Sequence, residues 1–184
     1  MSNAITRLVR RQWGNELYTA GPVFLECMVD MVAQLPADQM CVECGSGLSS
    51  VLLCDLLPKE RLVVLEHDEH WFKEIIHEVN GSLKYAPLEE KGEYDWYRLP
   101  DLSGRKVGLV VCDGPPGGTR GGRYGALPEL MPHLADEYAV LLDDVQRKPE
   151  HDIAMRWTEE YDLVGRFFRD DDGKAFAMLT NKEK

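Results

Sequence analysis

The sequence has no unbroken apolar stretch of about 20 residues, so we expect no segment to span a membrane. Basic residues are also scarce: 21 Lys and Arg stand against 32 Asp and Glu, a formal charge of −11. Because this charge repels nucleic-acid backbones and anionic membrane surfaces, broad binding to either is not expected. The 184 residues, 44% of them hydrophobic, are sufficient for one globular domain with a full core.

Cysteine is scarce as well, with five residues, an odd number. Most of them lie within apolar runs, as reduced core cysteines of a cytosolic protein do. Cys41 and Cys44 form a Cys-x-x-Cys pair, but no second pair or histidine cluster follows at a spacing suited to zinc. Residues 1–13 lack the apolar core of a signal peptide and are basic instead. We therefore expect a cytoplasmic protein without structural disulfides.

Short apolar runs alternate with helical patterns, which is typical of a parallel α/β sheet. The predicted strands are Met40–Cys44, Arg61–Glu66, Leu83–Leu88, Val107–Cys112, Tyr138–Leu142, Leu163–Arg169 and Lys174–Thr180. The last two flank Asp171-Asp172-Gly173, a hairpin signal. The sequence thus predicts a Rossmann-like, doubly wound sheet of seven mostly parallel strands, the last antiparallel, with helices on both faces. Residues 1–184 are predicted to form a single domain, in which 1–38 are an N-terminal helical segment that packs on the sheet.

Ligands of such sheets bind beyond the carboxyl ends of the strands, and acidic residues lie at several of these ends. After the first strand, Gly45 and Gly47 allow a sharp turn and a close approach of backbone to ligand. Glu66 follows Gly45 by 21 residues, at the end of the next strand, where a carboxylate can accept hydrogen bonds from ribose hydroxyls. A dinucleotide fingerprint would have a third glycine where this chain has Ser50.

The pattern that starts at Glu43, Glu-x-Gly-x-Gly-x-Ser, resembles motif I of the class I S-adenosylmethionine (SAM)-dependent methyltransferases. The resemblance extends from about Tyr18 to Thr180, since Glu66 matches the acid of motif II and Asp113 matches motif IV. The chain is identified on this basis as similar to small bacterial-type members of this methyltransferase superfamily.

This resemblance implies a binding site for SAM at the ends of the first two strands. It assigns the methionine portion to the motif I segment, the ribose to Glu66 and one side of the adenine to His67. The cofactor-binding residues implied in this way are Glu43, Gly45, Ser46, Gly47, Ser49, Glu66, His67 and Asp113.

A second acidic set consists of Asp113, Asp143 and Asp144, at the ends of two further strands. Carboxylates that converge repel one another unless a cation, a proton or a cationic ligand joins them. Resemblance to catechol O-methyltransferase and its relatives implies that these residues bind Mg²⁺ or another divalent cation, although Asp144 stands where that family has Asn. The alternative is that Asp113 faces the sulfonium and amino group of SAM while Asp144 caps the next helix.

Residues 117–125 are rich in glycine and contain Arg120 and Arg123. One interpretation is a mobile lid whose arginines hold an anionic group of the substrate. The other is a flexible exposed connection with solvated arginines. Arg147, just past the second acidic set, either joins the same pocket or pairs with these carboxylates.

Aromatic residues allow two interpretations as well. Tyr94, Trp96 and Tyr97 occur in a polar, irregular segment, where they either wall a substrate site or pack over the sheet. Trp71 and Phe72 occur at helical spacing, which favours a position in the core.

The function predicted from these motifs is methyl transfer from SAM to a hydroxyl of a small-molecule or sugar-like acceptor. Asp113, Asp143 and Asp144 are the candidate catalytic residues, because they can polarise the acceptor hydroxyl directly or through a cation. One alternative is an NAD-dependent oxidoreductase, which Ser50 and the lack of an obvious catalytic pair for nicotinamide disfavour. The other is a non-catalytic cofactor-binding or scaffold protein with the same fold.

Overall fold

A computed structural model describes residues 19–79, 81–171 and 173–181 of the chain. The basic N-terminal segment, Tyr18 and Asp172 of the predicted hairpin turn lie outside these residues. So does Asn80, which the sequence predicts, with Gly81, to end a helix. Among the helices that are described, none combines the length and the apolar composition needed to cross a membrane.

The helices of the described chain follow the apolar periodicity of the sequence. Their bounds are α1 Pro22–Gln34, α2 Leu48–Leu56, α3 Glu69–Ile75, α4 Ala126–Leu130 and α5 Lys148–Glu160. Helix α1 begins with proline, which is preorganised for the first turn. Helix α3 begins after Asp68, whose side chain accepts a hydrogen bond from the backbone N–H of Trp71 at 2.7 Å. The sequence predicts Asp68 as the cap of this helix, because aspartate precedes the helical pattern, and this prediction is confirmed.

The strands form one large sheet and one small one. Their bounds are β1 Gln39–Cys44, β2 Leu62–Glu66, β3 Leu83–Tyr85, β4 Leu88–Glu90, β5 Asp95–Tyr97, β6 Lys106–Cys112, β7 Leu134–Leu142, β8 Val164–Arg169 and β9 Ala175–Thr180. The large sheet has seven strands in the order β3-β2-β1-β6-β7-β9-β8. Strands β1, β2, β3, β6 and β7 are parallel, whereas β9 runs antiparallel to both of its neighbours. The predicted fold class, including its reversed last strand, is confirmed.

The central strands end at the same edge of the sheet. Cys44 at the end of β1 pairs with Leu65 of β2 on one side and with Cys112 at the end of β6 on the other. Cys112 in turn pairs with Leu142 at the end of β7. The turns that follow these strands are thereby brought side by side, and the side chains that they carry share one crevice.

Helices cover both faces of the large sheet. On one face α1, α2 and α3 pack over the sheet through residues such as Phe24, Leu52 and Ile75. On the other face α4 and α5 pack through residues such as Leu127 and Trp157. The central strands are buried on both sides, which explains why they appear in the sequence as continuous apolar runs. Helix α1 places the described part of the predicted N-terminal segment on the sheet.

The segment after β2 differs from the prediction. The predicted strand Leu83–Leu88 is interrupted at Pro87, which has no N–H to continue the pairing with β2. Strand β4 pairs instead with β5 in a separate two-stranded sheet, where only a loop was predicted. Trp96 and Tyr97 of β5 are fully buried in the core, so these aromatic residues pack over the sheet.

Candidate active site

A cavity of about 550 Å³ lies at the carboxyl edge of the large sheet. This volume falls within the range typical of small-molecule sites. One half of its wall comes from the turns after β1 and β2 and includes Gly45, Ser46, Gly47, Glu66 and Trp71. The other half comes from the ends of β6, β7 and the last hairpin and includes Asp113, Arg123, Asp143, Asp144, Arg147 and Lys174. The two predicted sets of site residues therefore meet at one cavity.

The two glycines after β1 have different roles. Gly45 has a φ of +85°, and a Cβ at this position would lie 2.8 Å from the backbone nitrogen of Gly114 in the turn after β6. Gly47 has extended backbone, and a Cβ there would meet no atom of the described residues within 4 Å. Packing of the two turns thus requires Gly45, while Gly47 leaves open space beside the cavity for a ligand.

Glu66 is held by donors from its own chain. Its Oε2 accepts hydrogen bonds from the N–H of Ser46 at 3.0 Å and from the Ser46 hydroxyl at 2.7 Å. Its Oε1 accepts one from the N–H of Asp68 at 2.8 Å, and Nδ1 of His67 lies 3.2 Å from the same oxygen. Burial acts to raise the pKa of Glu66, but the contacts with His67, Ser46 and Asp68 hold it below its ordinary value.

The carboxylate of Glu66 therefore remains ionised, with room for about one further hydrogen bond out of roughly four acceptor positions. It can accept a ribose hydroxyl, and the Ser46 hydroxyl can turn away to free a second position. His67 does not belong to the cavity wall; its ring packs edge-on against Tyr97 with 5.8 Å between the ring centroids. Its place beside the adenine stays a prediction.

Glu43 and Ser49 lie beneath the cavity rather than on its wall. Glu43 is completely buried, and within the described residues neither of its carboxylate oxygens has a hydrogen-bond partner of good geometry. Burial raises the pKa of Glu43 to about 8, an increase that the neighbouring Ser49 and Ser50 hydroxyls oppose only in part. Both residues are buried in this structure and offer no surface to the cavity, so their predicted contact with a cofactor stays a prediction.

At the other end of the cavity, Asp113, Asp143 and Asp144 converge as predicted, with carboxylate oxygens within 4.8 Å of one another. Arg123, whose side chain is only 3% exposed, lies between them. Its Nη2 donates to Oδ1 of Asp113 at 3.1 Å and to Oδ2 of Asp144 at 2.8 Å, and its Nη1 donates to the backbone oxygen of Asp143 at 2.8 Å. The positive charge that joins the carboxylates thus comes from the chain itself.

The residues present therefore do not fit the predicted divalent cation. An ion on Oδ1 of Asp113 and Oδ2 of Asp144 would need the position that Nη2 of Arg123 occupies, and an ion on the other oxygens of the cluster would lie next to this guanidinium, which repels it. The alternative role of Asp144 as a helix cap is not found either. Residue Arg147 stands at the N-cap of α5, which has no side-chain cap, and Asp144 pairs with both Arg123 and Arg147.

Asp143 differs from its two neighbours. It is 5% exposed, lines the cavity, and forms no salt bridge within the part of the chain that is described. Burial, reinforced by the charges of Asp113 and Asp144, raises the pKa of Asp143 to about 7. Burial also raises the pKa of Asp113 to about 6, although Arg123 opposes this increase. Asp143 is thus a carboxylate on the cavity wall that can exchange a proton near neutral pH.

The glycine-rich loop holds its two arginines in different places. Arg123 is buried in the site, whereas Arg120 donates to Gly92, Glu90 and Asp95 of the β4–β5 sheet, the first two at 2.8 and 3.1 Å. Arg120 is exposed and paired with the β4–β5 sheet, which agrees with an exposed connection, whereas Arg123 is buried and lines the cavity. The role of the loop as a lid stays a prediction.

Two residues of the wall were not assigned to the site from the sequence. Trp71 packs against the core, as predicted, but it also lines the cavity, and its Nε1 donates to the backbone oxygen of Ser46 at 2.9 Å. Its position in the first turn after the Asp68 cap was the available signal, because side chains there lie close to the strand ends. Lys174 lines the cavity and donates to the backbone oxygen of Thr19; nothing in the sequence pattern indicated this contact.

Buried Glu43 predicts a specific pH dependence of stability. Between its ordinary pKa of 4.5 and about 8, the folded state keeps a proton that the unfolded state has lost, so the free energy of unfolding falls as pH rises. We expect Glu43→Gln to weaken this fall and to be the more stable protein at pH 8 by on the order of 1–3 kcal/mol. Urea denaturation of both proteins from pH 5 to pH 8 measures the difference.

Glu69→Gln is the matched control, because the Glu69 side chain is 63% exposed. This variant should keep the pH dependence of the wild type. Parallel curves for wild type and Glu43→Gln would contradict the assignment of a buried, protonated carboxyl group.

No model of a protein family matches the chain, and no curated protein matches it. Solved structures of methyltransferases do match. One provisionally assigned as a caffeoyl-CoA O-methyltransferase from Staphylococcus aureus has a TM-score of 0.64 and 13% identity, covering 96% of this chain and 92% of its own. A methyltransferase of Podospora anserina with bound S-adenosylhomocysteine (SAH) has a TM-score of 0.62 and 13% identity. The match covers 100% of this chain and 89% of that methyltransferase.

A protein-(glutamine-N5) methyltransferase from Alicyclobacillus acidocaldarius also matches, with a TM-score of 0.50 and 18% identity over 88% of this chain and 91% of its own. These matches include proteins named for methylation of oxygen and of nitrogen. Identities this low establish the fold rather than the activity. The chain thus has the fold of the class I SAM-dependent methyltransferases, as its motifs predict.

Proposed function

We propose that this chain is a SAM-dependent methyltransferase that methylates a hydroxyl oxygen of a small-molecule acceptor. The observation that carries the proposal is the single cavity in which a glycine turn and an ionised Glu66 face a buried Asp143. The first half has the groups that a nucleoside with an amino-acid tail requires. The second half has a carboxylate suited to an acceptor hydroxyl.

Three features of the cavity wall support the assignment of the cofactor end. Gly47 leaves open space beside the cavity, Glu66 offers acceptor positions for ribose hydroxyls, and Trp71 provides an aromatic surface while it fixes the Ser46 turn. When bound, SAM supplies a methyl group already activated by its sulfonium. The chain therefore has to hold the acceptor in line with that methyl group and to receive the acceptor proton.

The different partners of the three carboxylates support the assignment of the acceptor end. Arg123 fixes Asp113 and Asp144, which leaves the Asp143 carboxylate facing the cavity without a salt bridge among the described residues. Asp143 is the group that accepts the proton of the acceptor hydroxyl. A hydroxyl has to lose this proton during transfer, and a base whose pKa lies near the working pH is suited to take it.

The first test addresses the cofactor. Wild type should bind SAM and SAH in isothermal titration calorimetry, and Glu66→Ala should bind them at least about tenfold more weakly, because hydrogen bonds to a charged group are lost. Glu69→Ala, which removes an exposed carboxylate near the same turn, should bind like wild type. Folded wild type that binds NAD but not SAM would contradict the proposal and favour an oxidoreductase.

The second test addresses the proton acceptor. Release of SAH is measured with a panel of phenols, catechols and sugars, and we expect a subset of these hydroxyl compounds to support turnover. With such a compound, Asp143→Asn should reduce kcat by about 10²–10⁴-fold while its affinity for SAM remains that of wild type. Asp152→Asn, at an exposed position of α5, is the control.

Turnover by Asp143→Asn at the wild-type rate would remove Asp143 from the mechanism. Wild type that binds SAM but transfers methyl only to amines would contradict the choice of a hydroxyl acceptor. Binding of SAM without turnover on either kind of acceptor would favour a non-catalytic cofactor-binding protein.

A further inference from the structure

The carboxylates at the acceptor end meet at a position that calls for a cation. Asp113 and Asp144 come from the turns after two adjacent parallel strands, and their oxygens approach the same nitrogen, Nη2 of Arg123. Two carboxylates this close, in a partly buried site, would raise each other's pKa strongly if nothing neutralised them. The guanidinium therefore occupies the place where neutralisation is needed.

Arg123 is held there by more than its charge. Its Nη1 donates to the backbone oxygen of Asp143, and the residue is only 2% exposed to solvent. The neighbouring carboxylates outweigh the effect of burial and keep the pKa of Arg123 above its already high value. A guanidinium in this setting stays charged at every pH at which the protein is folded.

The glycine-rich loop explains how an arginine reaches this position. Gly121 has a φ of +73°, and a side chain there would collide with Tyr94 of the segment before β5. The loop turns tightly, with hydrogen bonds from Thr119 to Pro116 and from Gly122 to Thr119, both at 2.9 Å. This conformation directs Arg123 inward, so the unusual glycine content serves to place one side chain.

Two guanidinium groups of the chain therefore neutralise part of the negative charge of the cluster without any ion from solution. Arg123 pairs with Asp113 and Asp144, and Arg147 pairs with Asp144 and lies 3.5 Å from Glu150. A divalent cation would have to displace a buried guanidinium that makes three hydrogen bonds. The free energy of these contacts opposes binding of a metal, in addition to the repulsion between the two cations.

We propose that Arg123 is a built-in cation which replaces a divalent metal ion at the acceptor end of the cavity, so that this chain positions its acceptor without a metal. The claim about the acceptor rests on the proposed function. The claim about the cation does not, since it concerns only the protein's own groups. Arg123 acts through Asp113 and Asp144 and is therefore a positioning residue.

Mn²⁺ is the probe that tests the proposal, because its electron paramagnetic resonance signal reports binding directly. Wild type should leave Mn²⁺ free, and its melting temperature should not change with Mg²⁺ or Mn²⁺. Arg123→Ala removes the guanidinium and leaves three converging carboxylates, so it should bind one Mn²⁺ at least about tenfold more tightly than wild type and gain melting temperature from it. Arg123→Lys retains a positive charge and should bind Mn²⁺ no better than wild type.

Stoichiometric binding of Mn²⁺ by wild type that Asp113→Asn abolishes would overturn the proposal. A folded Arg123→Ala that gains no affinity for Mn²⁺ would overturn it too, because the arginine would then not stand in a cation site. If Arg123→Ala does not fold with or without Mn²⁺, the wild-type titration and Arg123→Lys decide.

Calorimetry with SAM on the same wild-type sample separates this inference from the proposed function. Wild type that binds SAM and also binds Mn²⁺ at Asp113 would refute the built-in cation and leave the methyltransferase proposal standing. Wild type that binds neither would refute the methyltransferase proposal and leave the built-in cation standing. A further readout is turnover with an accepted hydroxyl compound, which EDTA should not reduce.

Discussion

Negative charge that is removed from water has to be protonated, hydrogen-bonded or paired, and this requirement organises the carboxyl edge of the sheet. The chain meets it in a different way at each position. Glu43 is fully buried and keeps its proton, with a pKa of about 8. Glu66 stays ionised because backbone and hydroxyl donors surround it. Asp113 and Asp144 share the guanidinium of Arg123. Three chemically distinct environments for carboxyl groups therefore arise at one edge of the sheet.

Much of the fold could be predicted, because central parallel strands are buried on both faces and stand out as short apolar runs between helical patterns. The same logic predicted which acids meet, since parallel strands bring their carboxyl ends to one edge. The start of the third strand at Leu83 was predicted, but the segment from Leu88 to Tyr97 was beyond this reasoning. Pro87 ends the pairing with β2, and the next two strands have only three residues each, too short to show a period. Their stability comes from burial of Trp96 and Tyr97, a tertiary effect.

The candidate site could be predicted from motifs only in part. Motif spacing indicated that Asp113, Asp143 and Asp144 converge, and repulsion indicated that a cation, a proton or a cationic ligand joins them. Which of these it is could not be predicted, because Arg120 and Arg123 are embedded in the same glycine-rich loop with no local difference between them. The loop conformation decides: one arginine pairs with the β4–β5 sheet and the other enters the site. A backbone with several glycines has many accessible conformations, so its course depends on contacts that a linear pattern does not contain.

The central claim is that one cavity binds SAM at its glycine end and holds its acceptor end with an arginine in place of a metal. A crystal structure of the wild-type chain grown with SAH and Mn²⁺, with anomalous data for manganese, tests both parts together. We expect SAH between Gly47 and Glu66, Arg123 still bonded to Asp113, and no anomalous peak at the acidic cluster. A manganese peak there with Arg123 displaced, or an SAH molecule bound elsewhere, would contradict it.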